Sequence, residues 1–407
     1  TTRARMGRNA PAVTRENSMS RLDRCYNIAD MREFARRRLP KGVFEYIDRG
    51  AEDEVALADN RAAFRRMKLR TRFLVDLTER DMGIELFGKR SDLPLAISPT
   101  GIAGLSWYQG ELALAKAAAA KGVPFTLATG SITAMETIAK AADGGRLWFQ
   151  LYMWKEEELS YQLVKRALDA GFETLIVTID GGLGNNREYN RRNGFTIPFT
   201  PSRRSLTDMT RHPEWLVGVM FRYLVTTGMP RHENYPEKYQ HRITHGTGSA
   251  RPMRHQAMVW DDISRMRDFW PGTLIIKGIL REEDAVLAVE HGADGVVVSN
   301  HGGRALDSAA PTIDILPEVV AAVGDRTTVI LDSGIRRGSD IVKALALGAD
   351  AVMTGRATLY GTAMAGQAGA EKALSILHTE FEKVMAYVGC RTVAEVSADI
   401  LAPPPAH

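Results

Sequence analysis

Between Leu93 and Thr354 the chain repeats one pattern eight times: a short apolar run, a polar ending and a stretch of helical periodicity. Strands that are covered on both faces, as in a parallel sheet, carry apolar side chains throughout. The helical stretches supply the crossover connections that parallel strands require. The predicted strands are Leu93–Ser98, Pro124–Thr129, Leu147–Met153, Thr174–Ile179, Thr273–Lys277, Gly295–Val298, Thr328–Asp332 and Ala351–Thr354.

Eight successive strand–helix units predict an α/β fold, the (β/α)8 TIM barrel. An open, doubly wound sheet is the alternative, but no glycine-rich dinucleotide fingerprint follows the first strand. Short N-terminal helices are predicted at 28–39 and 43–47, ahead of the barrel, and a final helix at about 370–388. A long insertion, 181–260, follows strand four, and a connection of that length is typical of a lid or an interaction surface.

We expect one domain, residues 27–400, between a flexible N-terminal arm (1–26) and a short tail (401–407). The arm is rich in Arg, Asn, Ser and Thr and lacks apolar periodicity, which is typical of mobile termini. The 407 residues are 44% hydrophobic and 25% charged, as in ordinary soluble globular proteins.

The cysteine content and the net charge indicate the cellular compartment and the kind of partner. Cys25 and Cys390 are the only cysteines, so no disulfide framework is expected and a reducing cytoplasm is favoured. The net charge of +4 is scattered along the chain, which fits a small acidic substrate, and no nucleic-acid-binding motif is present. No apolar run is long enough to span a bilayer, and no signal-peptide core lies near the start.

The ends of the predicted strands carry functional groups or glycine. In a TIM barrel the active site lies at these carboxyl ends, so their side chains are expected to converge. Any single one fits an ordinary strand cap, but their regular recurrence predicts a site. The positions are Thr100, Gly101, Thr129, Gln150, Tyr152, Thr178, Asp180, Lys277, His301, Arg304, Asp332, Gly334, Gly355 and Arg356.

The segment 299–304, Ser-Asn-His-Gly-Gly-Arg, combines a base with an anion clamp. His301 titrates near neutral pH and is able to take a proton from a substrate. Arg304 is able to hold a carboxylate through two parallel hydrogen bonds. Asp180 is a candidate for stabilising the charged form of His301, with a helix cap as the alternative.

Two arginine-containing turns predict a phosphate site. Segments 332–338 and 354–357 each enter a helix through a glycine, and the loops after strands seven and eight are the usual phosphate site of such barrels. Lys277 has two interpretations: a fixed positive charge beside an anionic cofactor, or the Schiff-base nucleophile of an aldolase or phosphate-binding isomerase barrel. The neighbouring His–Arg pair favours the first.

Other residues are ambiguous from their context alone. Arg187 lies in a charged loop and Tyr46 in an apolar helix, and each is more typical of structure than of a site. A third class of function is a non-catalytic barrel whose insertion binds a membrane or a partner. The segment 215–221 is apolar enough for such contact, although packing on its own barrel or on another subunit is favoured.

Taken in order, these motifs resemble the FMN-dependent 2-hydroxy-acid dehydrogenase and oxidase family over residues 27 to 400. Segment 299–304 matches the family's active-site signature, which is highly specific. The chain looks most similar to the (S)-mandelate dehydrogenases and the membrane-associated L-lactate dehydrogenases. The other matching segments are 39–41, 99–101, 149–152, 332–336, 337–348 and 355–361.

The resemblance implies FMN as the cofactor and oxidation of an (S)-2-hydroxy acid, such as mandelate or lactate, to the 2-oxo acid. His301 would take the hydroxyl proton while hydride passes to flavin N5, and Asp180 would stabilise the imidazolium. Arg187 would then be a substrate residue, contrary to its context alone. The implied substrate-binding residues are Tyr46, Tyr152, Arg187, His301 and Arg304.

The resemblance also implies a flavin site and several partners. Lys277 would stabilise the reduced flavin, and no metal is expected. The electron acceptor would be O2 or a quinone, and the assembly a homotetramer. The location would be cytoplasmic, with peripheral contact to the inner face of the membrane through 199–250 as an option. The implied cofactor-binding residues are Pro99, Thr100, Gly101, Ala128, Gln150, Thr178, Lys277, Asp332, Gly334, Arg336, Gly355 and Arg356.

The sequence departs from the family pattern at a few positions. Ala128 stands where family members usually carry Ser, and Ala305 where they carry Gln. The loop after strand four reads Arg-Glu-Tyr-Asn at 187–190 instead of Arg-Glu-x-Asp. Gly101, where many oxidases have Ala, leaves room for a bulky hydroxy acid. These departures leave the identity of the substrate open more than the chemistry.

Overall fold

The computed structural model of the chain describes residues 20–142, 144–181, 184, 186–195, 198–244 and 258–403. The strands are β1 (Ile84–Leu86), β2 (Lys89–Ser91), β3 (Leu95–Ile97), β4 (Phe125–Ala128), β5 (Leu147–Leu151), β6 (Thr174–Thr178), β7 (Thr273–Ile279), β8 (Gly295–Val298), β9 (Thr328–Leu331) and β10 (Ala351–Thr354). The helices before the insertion are α1 (Ile28–Arg38), α2 (Lys41–Asp48), α3 (Val55–Arg66), α4 (Gly110–Ala120), α5 (Met135–Ala141) and α6 (Glu157–Asp169).

The insertion and the second half of the chain supply the remaining helices. In the insertion these are α7 (Glu188–Asn193), α8 (Arg203–Thr210), α9 (Pro213–Trp215) and α10 (Arg222–Thr226), the last two joined by a π-helical segment, Leu216–Phe221. The helices that follow are α11 (Trp260–Phe269), α12 (Glu282–Glu290), α13 (Thr312–Val323), α14 (Gly338–Ala346) and α15 (Arg356–Tyr387).

Strands β3 to β10 close into a parallel barrel in the order β10-β3-β4-β5-β6-β7-β8-β9. The predicted (β/α)8 fold is therefore confirmed, and each predicted strand lies within two residues of its observed bounds. β6 and β7 pair along their lengths, from Thr174 opposite Thr273 to Thr178 opposite Lys277. The insertion thus leaves β6 at the carboxyl end, where the site is expected, and α11 then returns the chain to the amino end of the neighbouring strand β7.

Side chains of the barrel strands alternate between two buried layers, because successive residues of a strand point to opposite faces. The outward layer packs under the helices in one large core, with members such as Leu127, Phe149 and Val298. The inward layer is a separate cluster inside the barrel. Its strand members are Ala96, Trp148, Ile176, Ile275, Val297, Ile330, Ala351 and Met353.

A hairpin made by β1 and β2 covers the amino-terminal mouth of the barrel, and the sequence patterns did not predict it. Leu86 belongs to the inward cluster, and Phe87 packs on it with its ring 5.9 Å from that of Trp148. A Cβ on Gly295 would lie 3.0 Å from the Phe87 ring. The hairpin therefore closes the amino-terminal end of the barrel, and the cavity lies at the opposite, carboxyl end.

The final helix begins earlier than predicted. It starts at Arg356, directly after β10, and extends to Tyr387, with non-helical backbone at Ala365 and Gly366. Gly366 has a φ of 60°, and a Cβ there would lie 2.5 Å from the indole nitrogen of Trp107. The kink therefore separates a short first segment, which is the eighth barrel helix, from the helix predicted at 370–388. Helix α3 was also missed.

The insertion is attached to the barrel by aromatic side chains on one face. Trp215 and Tyr223 are buried, and the Trp215 indole donates a 2.6 Å hydrogen bond to the Leu105 carbonyl. The opposite face is exposed, with Val217, Phe221, Leu224 and Val225 all more than half accessible. The predicted packing of 215–221 on its own barrel therefore holds for one side of this segment. No helix in the described part of the chain is both long enough and apolar enough to cross a membrane.

The domain limits remain predictions. Residues 1–19 of the predicted arm and 404–407 of the tail lie outside the described residues. Within the arm, Cys25 is buried in the main core and Arg21 pairs with Glu214 of the insertion at 2.6 Å. Ordered packing thus begins before residue 27, and we propose an earlier domain boundary.

Candidate active site

The last inward-facing residue of each strand contributes to a ring at the carboxyl end of the barrel. Along most strands, the residue two positions after the last inward apolar residue also points inward, and here it is polar or small. Most of these residues line a cavity that opens to solvent and contains about 1310 Å³ of space, the open part included. The ring consists of Ser98, Ala128, Gln150, Thr178, Lys277, Ser299, Asp332 and Gly355.

Four members of this ring form a closed hydrogen-bond network. The Lys277 ammonium donates to Ser299 Oγ at 2.7 Å and lies 3.2 Å from an Asp332 carboxylate oxygen. Ser299 and Ser98 each donate to Asp332 at 2.7 Å. Burial raises the pKa of Asp332, but the Lys277 charge and the two hydroxyls outweigh it and lower that pKa to about 2. The pair is therefore ionised at neutral pH.

The same pairing decides between the two interpretations of Lys277. Burial lowers the pKa of Lys277, but the charges of Asp332 and Asp180 outweigh it and leave that pKa above its ordinary value. An ammonium has no lone pair and is not a nucleophile. Lys277 is thus a fixed positive charge in this cavity, and the Schiff-base alternative is disfavoured.

The ring and its surroundings also hold buried polar atoms that have no hydrogen-bond partner among the described residues. Such atoms normally find a partner, because leaving one unmet costs about 1–3 kcal/mol. Around the cavity they lie on β5, on β6, in the loop that follows β6 and on β10. They are Gln150 Nε2, Thr178 Oγ1, Asp180 Oδ2, Arg187 Nε and Thr354 Oγ1.

His301 is held in one orientation by Asp180. Its Nδ1 lies 2.8 Å from Asp180 Oδ1, and its Nε2 lies 3.4 Å from the Tyr152 hydroxyl. An Nδ1–H that donates to the carboxylate leaves the lone pair on Nε2. Asp180 fits there because its neighbour on β7 is Gly278, where a Cβ would lie 2.9 Å from the Asp180 Cβ.

Burial and neighbouring charges set the protonation of this pair. Burial lowers the pKa of His301, Asp180 partly offsets this, and the net pKa lies below the ordinary value. Burial raises the pKa of Asp180, but His301 and Lys277 outweigh it and leave that pKa below its ordinary value. At neutral pH the pair is a neutral imidazole beside a carboxylate, which is the state a general base needs.

The turn that carries His301 has unusual backbone geometry. His301 has a φ of 59°, in the left-handed region that non-glycine residues rarely adopt. Its N–H donates to Ser299 Oγ at 3.1 Å, and the N–H of Gly302 donates to Ser333 Oγ at 2.9 Å. Two side-chain hydroxyls therefore fix the turn, which is consistent with strain held at a functional site.

Two arginines flank the Tyr46 ring at the mouth of the cavity. The Arg304 guanidinium carbon lies 5.3 Å from the ring centroid and that of Arg187 lies 5.8 Å from it. Arg304 also donates to the Tyr46 carbonyl at 2.8 Å and to the Arg49 carbonyl at 3.0 Å. Burial lowers the pKa of Arg304, and the charge of Arg187 lowers it further. Two crowded cations of this kind favour an anion between them.

The predicted phosphate residues lie together in the wall of the same cavity. Gly334 and Arg336 follow β9, Gly355 and Arg356 follow β10, and all four line the cavity. Arg356 donates to the carbonyls of Gly302 at 2.8 Å and Arg49 at 3.0 Å. Burial lowers the pKa of Arg356 to about 10, so it stays charged at neutral pH. The start of α15 adds backbone N–H groups that favour an anion.

Every predicted site residue reaches this cavity or contacts a residue that does. Asp180 stands behind His301, and the others line the wall. A flavin phosphate fits the Arg336–Arg356 end, and unpaired donors such as Gln150 Nε2 fit the carbonyl oxygens of a flavin ring. The cavity is therefore compatible with FMN. The lining predicted residues are Tyr46, Pro99, Thr100, Gly101, Ala128, Gln150, Tyr152, Thr178, Arg187, Lys277, His301, Arg304, Asp332, Gly334, Arg336, Gly355 and Arg356.

Sequence reasoning missed two groups of residues in the site. Ser98 and Ser299 directly follow apolar runs, and strict alternation along each strand selects them. His232 and Tyr235 belong to the insertion, yet they line the same cavity. No periodic pattern marks them, because the insertion has no repeated geometry from which to derive a direction.

Comparison with known proteins is consistent across the whole barrel. A family model described as FMN-dependent dehydrogenase matches residues 35–403. The (S)-mandelate dehydrogenase of Pseudomonas putida is 40% identical over 376 residues, which are 92% of this chain and 93% of that protein. The L-lactate oxidase of a Nostoc species is 38% identical over 392 residues, which are 94% of this chain and 100% of that protein.

Solved structures agree with this comparison. A crystal structure described as the monotopic membrane protein (S)-mandelate dehydrogenase superposes with a TM-score of 0.87 at 40% identity, covering 93% of this chain and 99% of that one. A mandelate oxidase variant with (S)-mandelic acid gives a TM-score of 0.77 at 35% identity, covering 94% of this chain and 100% of that one.

Proposed function

Because this chain belongs to the FMN-dependent dehydrogenase family and is an FMN-dependent oxidoreductase, we propose that it oxidises an (S)-2-hydroxy acid of the mandelate or lactate type to the 2-oxo acid. The observation that carries this proposal is the neutral His301 imidazole, whose Nδ1 is engaged by Asp180 and whose Nε2 is directed to Tyr152 in a cavity with two arginines.

In the proposed reaction His301 acts as the general base. Nε2 takes the hydroxyl proton of the substrate, and the alkoxide that results expels the Cα hydrogen as hydride. Asp180 stabilises the imidazolium that forms, as its short contact with Nδ1 allows. FMN supplies the acceptor for the two electrons when it is bound.

Binding and orientation are assigned to the residues around the cavity mouth. The substrate carboxylate lies between Arg187 and Arg304, and the Tyr152 hydroxyl contacts the reacting oxygen. Arg336 and Arg356, with Gly334 and Gly355, hold the FMN phosphate, and the Lys277 ammonium places positive charge beside the flavin. The other flavin contacts are assigned to Pro99, Thr100, Gly101, Ala128, Gln150, Thr178 and Asp332.

An anaerobic titration tests this proposal. The holoenzyme is mixed without oxygen with (S)-mandelate, (S)-lactate or other 2-hydroxy acids, and loss of the flavin absorbance is followed. At least one acid is expected to bleach the flavin, and admission of air then distinguishes O2 from a quinone as the acceptor. Failure of every hydroxy acid to bleach a fully loaded enzyme would overturn the proposed function.

The variant His301→Ala separates catalysis from cofactor binding. It is expected to keep its FMN but to lose flavin reduction by a factor of about 10²–10⁴, the range for removal of a general base. The absorbance spectrum of the purified variant reports FMN content, and stopped-flow mixing with substrate reports reduction. A variant that remains yellow and is reduced at the normal rate would contradict the assignment of the base.

The exposed face of the insertion supports peripheral contact with a membrane. Apolar side chains at 217, 221, 224 and 225 are more than half accessible, and contiguous apolar surface of this kind is typical of interaction sites. The same insertion carries exposed arginines at 203, 204, 211 and 222, which suits anionic headgroups. A similar structure is described as a monotopic membrane protein. We propose that 199–244 lies on the inner face of the membrane.

Co-sedimentation with vesicles tests this contact. Vesicles with anionic lipid are expected to pull down the holoenzyme, and the double variant Phe221→Ser, Leu224→Ser is expected to remain in the supernatant with unchanged mandelate or lactate oxidation. Equal sedimentation of both proteins would contradict it. The homotetramer suggested by the family resemblance remains a prediction, for which light scattering of the double variant is the direct measurement.

A further inference from the structure

Three consecutive residues of the turn after β8 have left-handed backbone angles. The φ angles are 59° at His301, 66° at Gly302 and 70° at Gly303. A left-handed conformation costs free energy at a residue other than glycine, and left-handed residues usually occur singly and not in runs. The turn that carries the proposed base is therefore a conformation that the surrounding structure must impose.

The side chain of Asn300 joins the two ends of this turn. Its Oδ1 accepts a 3.1 Å hydrogen bond from the N–H of Gly303, which also donates to the Asn300 carbonyl at 3.1 Å. Its Nδ2 donates to the Ala310 carbonyl at 3.1 Å. One buried amide thus connects the start of the turn, its end and the loop that leads into α13.

Helix α3 supplies the remaining partner of the Asn300 amide. Asn60 Nδ2 donates to Asn300 Oδ1 at 2.9 Å, and Asn300 Nδ2 donates to Asn60 Oδ1 at 2.9 Å. Both residues are only 2% exposed. A primary amide has two donor hydrogens and two acceptor lone pairs. With Asn60, Gly303 and Ala310 as partners, the Asn300 amide is fully satisfied in this one orientation.

Further contacts hold α3 against the same loop. The N–H of Thr312, at the start of α13, lies 3.4 Å from Asn60 Oδ1. At the start of α3, the N–H of Ala56 lies 3.2 Å from the Asp307 carboxylate. Among the described residues, those that line the cavity include neither Asn60 nor Asn300. The amide pair therefore acts on the turn from behind it.

We propose that Asn60 is a positioning residue, which holds the proposed base in its reactive orientation through Asn300 without touching substrate or cofactor. Loss of the Asn60 amide leaves one donor and one acceptor of Asn300 buried and unpaired, and buried polar groups of this kind are rarely left so. The Asn300 amide then turns away from Gly303, and the left-handed turn relaxes. The His301 imidazole consequently moves out of line with Asp180. This inference deepens the proposed function, because it rests on His301 as the base.

Stopped-flow reduction of variant holoenzymes tests the proposal. The substrate is (S)-mandelate or (S)-lactate, whichever reduces the wild type faster. Asn60→Leu keeps the approximate size of the side chain but neither hydrogen bond. The rate constant of flavin reduction at saturating substrate is expected to fall by about 10- to 100-fold, the effect of two lost neutral hydrogen bonds.

The amplitude and KM distinguish positioning from a loss of folded enzyme. The amplitude of flavin reduction should remain complete, because every molecule still holds FMN and still reacts. KM should change little, because Arg187 and Arg304 keep their places. A normal rate constant, with either a full or a reduced amplitude, would overturn the positioning role.

A second background shows whether Asn60 acts through His301. His301→Ala has no imidazole to orient, so adding Asn60→Leu should slow its flavin reduction no further. Asp59→Leu, at an exposed position of the same helix, is the matched control and should be reduced at the wild-type rate. A further loss in the His301→Ala background, as large as in the wild type, would contradict the proposed route.

Asn60→Asp is the milder change if the leucine variant folds poorly. Its carboxylate still accepts from Asn300 Nδ2 but donates nothing to Asn300 Oδ1. Its rate constant should therefore lie between those of the wild type and Asn60→Leu, and a wild-type rate constant would count against the proposal.

The outcomes separate this inference from the proposed function. If the Asn60 variants are reduced normally while His301→Ala is not, the inference fails and the proposed function stands. If no 2-hydroxy acid reduces the flavin of the wild type, the proposed function itself fails.

Discussion

The two sides of the ring at the top of the barrel differ in how their polar atoms are satisfied. On the paired side, Ser98, Lys277, Ser299 and Asp332 hydrogen-bond to one another across β3, β7, β8 and β9. On the open side, Gln150 and Thr178 present buried atoms without a partner in the part of the chain that the structure describes. Both sides face one cavity and come from the same alternation of strand residues.

The difference indicates which part of the site exists before a ligand binds. The paired side stabilises itself, because a buried ion pair with further hydrogen bonds offsets its own desolvation. On the open side, the buried polar atoms without partners destabilise the protein, and a ligand with complementary groups removes this cost. Variants on the paired side should therefore change the stability of the apoprotein, whereas variants on the open side should change the affinity for a ligand.

Asp180 lies outside the ring but combines a paired and an unpaired oxygen, and we expect its loss to have the largest effect. Oδ1 pairs with His301, while Oδ2 has no partner among the described residues. Asp180→Asn should lower kcat by about 10²–10⁴-fold, because the imidazolium loses its counter-charge. Asp180 raises the pKa of His301 against burial, so the variant's His301 pKa should fall. The acid limb of the kcat/KM profile should then move to lower pH.

A pH–rate series on the holoenzyme checks this prediction. Asp169→Asn, at an exposed ion pair with Lys165, is the matched control and should leave the profile unchanged. An acid limb that stays in place, or moves to higher pH, would argue that Asp180 does not act on His301.

Asp332→Asn breaks the paired side and is expected to have the second largest effect. It leaves the buried Lys277 ammonium without the carboxylate that contacts it, which costs about 3–5 kcal/mol of apoprotein stability. The pKa of Asp332 is about 2 when folded and about 4 in an unfolded chain. Its stabilisation is therefore complete above pH 4 and is lost as the pH falls towards 2. Urea unfolding of the apoprotein measures the difference, with Asp314→Asn, at an exposed pair, as control.

Arg187→Met tests the open side where substrate is proposed to bind. We expect KM to rise by about 10- to 100-fold, because a hydrogen bond to a charged group contributes about 1.5–3 kcal/mol. FMN content and apoprotein stability should not change, and Arg187→Lys should fall between the two. Steady-state kinetics with a saturating acceptor measures KM. Weaker FMN binding with an unchanged KM would show that Arg187 binds FMN and not the substrate.

Gln150→Leu is the smallest and most direct test of the comparison. It removes a donor, Nε2, that has no hydrogen-bond partner within the described residues, so FMN should bind about tenfold more weakly, as expected for one lost neutral hydrogen bond. The apoprotein should unfold at the same or a higher urea concentration, because a buried unmet donor is gone. Fluorescence titration with FMN and urea unfolding measure both values. A clear loss of apoprotein stability would show that the two sides do not differ as described.

The barrel was predictable because its signal is periodic. Side chains of a strand alternate between its two faces, and in a closed parallel barrel this alternation determines that side chains such as Gln150 and Asp332 point inward. The polar residues at the ends of the apolar runs therefore indicated where the cavity lies. The signature around His301 carried the resemblance from which the roles of Arg187 and Tyr46 followed. Neither of those two roles was available from local context, since each depends on a contact between distant segments.

The insertion was predicted as a long connection, but its path to the cavity and the hairpin were not predictable, for a related reason. His232 reaches the cavity through one contact with the Gly130 carbonyl, and no pattern in the insertion encodes that approach. Leu86 and Phe87 lie in a short hairpin whose strands have three residues each, too few for alternation to be recognised. The kink at Gly366 likewise depends on Trp107, which is far away in the sequence.

The hairpin at the amino-terminal end of the barrel affects how small molecules reach and leave the cavity. With Leu86 and Phe87 closing that end over Trp148, the cavity lined by the described residues opens at the carboxyl end of the barrel. In the proposed reaction, hydroxy acid and oxo acid would both pass this opening, and the oxidant of the reduced flavin would use it or exchange electrons across it. Departure of the first product and arrival of the second reactant would then use one passage, an arrangement that favours alternating, ping-pong turnover.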